Sequence, residues 1–98
     1  MNDKEIAKNL RSYSKYYRNV LFNEGFRDVD QRMMSYETRL TEMYRSEEFE
    51  AHNIYPSTNV SFVYAVIAMC LELKEAGYTD DRIIPAVEKG MADRWSAF

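Results

Sequence analysis

Residues 60–73 read VSFVYAVIAMCLEL, and how this stretch is placed decides the fold. Glu72 is its only charged residue, in a chain that is 30% charged. Helix signals bracket it. Ser57, Thr58 and Asn59 are all good N-cap residues. Pro56, just before them, blocks a helical continuation from upstream and pushes Tyr55 toward an extended conformation. Gly77 stands where a left-handed C′ residue ends a helix, with Tyr78 placed to fold back on the last turn. The expectation is a helix over 60–76. Nearly every position from Val60 to Leu73 is apolar except a narrow stripe, Ser61, Ala65, Ala68, Glu72 and Glu75, spaced 4, 3, 4, 3. A helix apolar on almost all sides is the central helix of a bundle or faces a second subunit. The small residues of the stripe suit the close approach of a neighbouring helix.

A membrane span needs roughly 20 predominantly apolar residues. The stretch ends at Glu72, and the uncharged residues before it, Asn53 and Pro56 to Asn59, carry loop and cap chemistry. At about 1.5 Å per residue it falls well short of a ~30 Å hydrocarbon layer. Asn59-Val60-Ser61 has the form of a glycosylation sequon, but Asn59 is read as cap chemistry.

The flanking segments read as helices with one packing seam each. In the first, Ile6, Leu10, Tyr13, Tyr17 and Val20 are spaced 4, 3, 4, 3, Asn2-x-x-Glu5 has the form of a capping box, and Gly25 follows at the end. In the second, Asp28-x-x-Gln31 repeats the box, and Val29, Met33, Tyr36, Leu40 and Met43 repeat the spacing. Two such seams joined by a short Gly-containing turn predict an antiparallel hairpin. In the last, Thr79 is the cap, with Asp80 and Asp81 in the first turn, and Ile83, Ile84, Val87, Met91 and Trp95 form the inner face. Pro85 either starts that helix or kinks it. Ala86-x-x-x-Gly90 offers a flat patch for close contact. The predicted architecture is all-α, one domain over 1–98. It is a small four-helix bundle with an antiparallel N-terminal hairpin, a buried central third helix and a fourth helix with an early Pro. The expected spans are 3–22, 29–46, 60–76 and 80–96.

Composition narrows the function classes. One Cys excludes an intramolecular disulfide framework and a Cys-rich zinc site. Met1-Asn2-Asp3-Lys4-Glu5 lacks the apolar core of a secretory signal, so a reducing cytoplasm is expected. The single His, His52, follows Glu47, Glu48 and Glu50 without the spacing or the second His of a di-metal helical site. It reads as a loop residue beside a solvated acidic helix end. Cys70 has no base or cation on the preceding turn to make a thiolate, so it reads as a small hydrophobe. No Gly-rich phosphate loop, G-x-S-x-G elbow or H-E-x-x-H helix occurs. No catalytic, cofactor-binding or metal-binding residue is expected.

Charge and aromatic content point toward binding. Net charge is −3, yet residues 1–27 carry +3 and the remainder −6. Lys4, Lys8, Arg11, Lys15 and Arg18 form a basic ridge opposite the first seam, flanked by Tyr16. Such a ridge can dock an acidic protein surface or track a phosphate backbone. Tyr16, Tyr44, Phe49, Tyr55 and Phe98 are not needed by the seams; surplus aromatics are what protein interfaces use, and they could equally cover the third helix within the chain. Leu73–Ala86, LKEAGYTDDRIIPA, resembles the DNA-reading helix-turn-helix in outline. It departs from that pattern in the acidic opening Thr79-Asp80-Asp81 and in Pro85. Its Gly–aromatic turn is similar to that of ubiquitin-associated modules, whose pattern the surrounding helices do not follow.

The expectation is therefore a non-catalytic cytoplasmic protein acting by protein–protein contact, as an adaptor, inhibitor, accessory subunit or homodimer. Lys8, Arg11, Lys15, Tyr16, Arg18, Tyr44, Phe49 and Tyr55 are its candidate contact residues. The alternative is a nucleic-acid-binding regulator using the basic ridge. A third class is an enzyme or ligand carrier with a pocket lined by Tyr36, Tyr64 and Met69, which no acid–base or nucleophile pair supports.

Overall fold

The structure, a computed structural model, describes residues 3–46 and 58–96, with side chains for 3–46 and 62–92. Four helices follow one another: α1 (Asp3–Asn23), α2 (Val29–Arg45), α3 (Thr58–Glu75) and α4 (Asp80–Ser96). The chain is an all-α bundle, and each boundary lies within two residues of the span expected from caps and periodicity. α1 and α2 form the hairpin, and α3 touches α1, α2 and α4. No described helix is long and apolar enough to cross a membrane.

The two described turns between helices are built alike. After α1, Gly25 takes φ +87°, Phe26 N–H bonds Leu21 C=O at 3.0 Å, and Gly25 N–H bonds Phe22 C=O at 3.1 Å. After α3, Gly77 takes φ +98°, Tyr78 N–H bonds Leu73 C=O at 3.1 Å, and Gly77 N–H bonds Lys74 C=O at 3.0 Å. Both are Schellman ends, which satisfy carbonyls the helix leaves open. The motif folds an aromatic back at each end, and the two aromatics meet. Phe26 and Tyr78 pack edge-to-face with centroids 4.7 Å apart. Arg82 of α4 lies over Phe26 at 4.9 Å and donates to the carbonyls of Glu24 (3.4 Å) and Gly25 (3.3 Å). One cation thus ties α4 to the end of α1.

This corner also changes a cap. Asp28 sits at the N-cap of α2 but makes no side-chain cap bond. Its carboxylate instead accepts from Tyr78 Oη at 2.9 Å, a contact 50 residues away in sequence. Asn2, the expected cap of α1, lies outside the described residues.

The core contains Ile6, Tyr13, Tyr17 and Leu21 of α1, Val29, Tyr36, Leu40 and Tyr44 of α2, Phe62, Met69 and Leu73 of α3, and Ile83 and Val87 of α4. Tyr17 and Tyr36 stack at 4.2 Å across the hairpin. Burial pushes the Tyr17 phenol up to about 12, with Glu72 adding to the shift, and burial also raises Tyr36 and Tyr44. The α4 inner face differs from expectation at one position. Ile84 is 50% exposed while Ile83, Ala86 and Val87 are buried. Pro85 lies inside a continuous α4, on its exposed side, so the helix does not begin there. Trp95's side chain lies outside the described ones.

Gly90 is buried where α4 crosses α1. A Cβ there would stand 2.5 Å from Val20 Cγ1 and 3.1 Å from Tyr16 Oη. Val20 is β-branched and cannot swing clear, because its χ1 is restricted on a helix. Gly90→Ala should therefore destabilise the protein by about 1–3 kcal/mol in urea unfolding, although alanine favours a helix by nearly 1 kcal/mol. An unchanged or raised midpoint would refute the close crossing.

Candidate functional site

The rotation of α3 about its own axis determines which surface the protein offers. Ala65, Ala68 and Glu72 from the small-and-polar stripe point inward with Phe62, Met69 and Leu73. The small side chains let α2 come close, and Tyr36 Oη donates to the Ala65 carbonyl at 3.4 Å. Glu72 is only 2% exposed, yet it is fully engaged. Arg32 Nη2 donates to its Oε2 at 2.8 Å and Arg39 Nε to its Oε1 at 2.8 Å. Arg39 Nη2 also reaches Glu75 Oε1, and these bonds to Glu72 and Glu75 hold the Arg39 guanidinium above its ordinary pKa. A buried carboxylate is tolerated when paired and hydrogen-bonded. Here two arginines one heptad apart on α2 grip both of its oxygens.

With Glu72 held inward, the opposite side of α3 must face out. That side is Val63, Ile67 and Leu71, exposed at 50%, 41% and 39%. They sit at i, i+4, i+8 and form one continuous apolar ridge. Half-buried Val66 and Cys70 border it. Burial pushes the Cys70 thiol up, with Asp80 adding to the shift, so it is the less reactive thiol form. Lys74 Nζ meets Asp80 Oδ1 at 3.4 Å and joins the edge of the ridge to α4. Ile84, one turn after Asp80 on α4, is a further exposed apolar side chain.

The basic ridge of α1 exists, and Lys4, Lys8, Arg11, Lys15 and Arg18 are all exposed. Arg18 is engaged by Asp30 of α2 at 2.9 Å. Tyr16, expected to flank the ridge, is instead half-buried, its ring 5.5 Å from that of Phe62. Tyr44, expected at a partner surface, is 1% exposed and belongs to the core. It lies one helical turn beyond Leu40 on the buried face, so the second seam ends on Tyr44 rather than on its neighbour Met43, which is half-buried. Phe49, His52, Tyr55 and Phe98 lie outside the described residues. Tyr36 and Met69 are fully buried and packed, so they do not line an open cavity, and Tyr64 is half-buried. Among the described residues no group of three or more His, Cys, Asp or Glu is arranged to hold a metal ion.

The ridge of α3 was missed as a site because the sequence shows an apolar helix, not its rotation. A signal was present. Glu72 shares its stripe with Ala65 and Ala68, and Arg32 and Arg39 are spaced seven apart beside the α2 seam.

Comparison of the chain with protein-family models, with curated proteins and with solved structures gives no match in any of the three.

Glu72→Ala should lower stability by about 2–3 kcal/mol, because it strips two arginines of their charged acceptor. The loss falls below that of a fully buried broken pair, since Arg32 and Arg39 side chains keep 22% and 26% exposure. Chemical denaturation beside Glu75→Ala, which removes the exposed acid of the cluster, checks this. Equal effects of the two substitutions would contradict the account.

Proposed function

We propose that the protein is a small non-catalytic binding protein of the cytoplasm, acting as an adaptor, inhibitor or accessory subunit through protein–protein contact. The observation that carries this is the ridge Val63–Ile67–Leu71, three large apolar side chains side by side on the surface of a highly charged chain. Single exposed hydrophobics are normal, but a contiguous strip with a charged rim is the usual composition of a docking surface. Lys74, the next turn of α3 after Leu71, and its ion-pair partner Asp80 supply charge at its end. Support for the non-catalytic part comes from Cys70, whose thiol is raised rather than lowered, and from the use of Glu72 in a structural clamp. The nucleic-acid reading of α1 is weakened by the withdrawal of Tyr16 and the pairing of Arg18 with Asp30.

The test compares wild type with Leu71→Asp and with Lys8→Glu/Lys15→Glu. Lys8 and Lys15 are exposed, so the double variant should stay within about 0.5 kcal/mol of wild type, while Leu71→Asp, at a position 39% exposed, should cost about 1–2 kcal/mol and still fold, which circular dichroism checks. The proposal expects wild type to associate, with itself or with a purified partner, in a way that Leu71→Asp abolishes and the double charge reversal leaves intact. Association lost only in the double variant, or a low-salt mobility shift with DNA or RNA, would overturn it.

A further inference from the structure

We draw no further inference here: the strongest candidate, the exposed apolar face of α3 at Val63, Ile67 and Leu71, belongs to the surface already described, and nothing among the described residues shows what covers it.

Discussion

The grip of Arg32 and Arg39 on Glu72 is the constraint on which the rest of this structure depends. An apolar helix has no strong preference for which side faces the core, because burying either side gains much the same hydrophobic free energy. A buried carboxylate is different. It must be met by donors, and the donors are fixed to α2 one heptad apart. The pairing therefore chooses one rotation of α3 from several that hydrophobicity alone would accept. Its value lies as much in specificity as in stability, which is the role best attested for buried ionic groups.

That choice explains why the most apolar helix of the chain keeps apolar side chains in water. Ala65 and Ala68 line the side carrying Glu72, and their small size lets α2 close over the ion pairs. The bulkier Val63, Ile67 and Leu71 are left outside. A chain free to maximise burial would turn them in. The clamp spends hydrophobic burial to hold one orientation, and the ridge it exposes is the feature on which the functional reading rests.

Much of the fold was legible in the sequence because it is written locally. Gly25 and Gly77 mark left-handed helix ends, Thr79 stands directly before α4, and 4, 3, 4, 3 spacings mark the seams. What was not legible depends on contacts distant in sequence. Asp28 has the form of a cap, but Tyr78, 50 residues on, takes its carboxylate. Glu72 reads only as a member of the small-and-polar stripe, and its buried pairing needs Arg32 and Arg39, which lie 40 and 33 residues away in sequence. Ile84 follows Ile83 in an apolar pair, yet Ile83 shares its face with the buried Ala86 and Val87 at i+3 and i+4, and that face leaves Ile84 turned outward. Tyr44 looked surplus because the 4, 3, 4, 3 spacing assigned the last seam position to its neighbour Met43. The basic ridge of α1 was read correctly as a surface, but the aromatic meant to serve it packs on Phe62. The α3 ridge was hidden because a helix apolar on all sides carries no periodic signal to orient it.

The most direct test of the clamp is the accessibility of two adjacent positions on α3. In a Cys70→Ser background, Ile67→Cys and Ala68→Cys each introduce one thiol, at positions that are 41% and 0% exposed. Labelling with a small maleimide at about 1 µM, at or below the concentration range of a weak ridge contact, reads the orientation of the helix. The account predicts rapid modification at position 67 in the native protein and modification at 68 only as fast as the chain unfolds. Equal rates, or a protected 67 beside a reactive 68, would show that Glu72 does not set the rotation of α3.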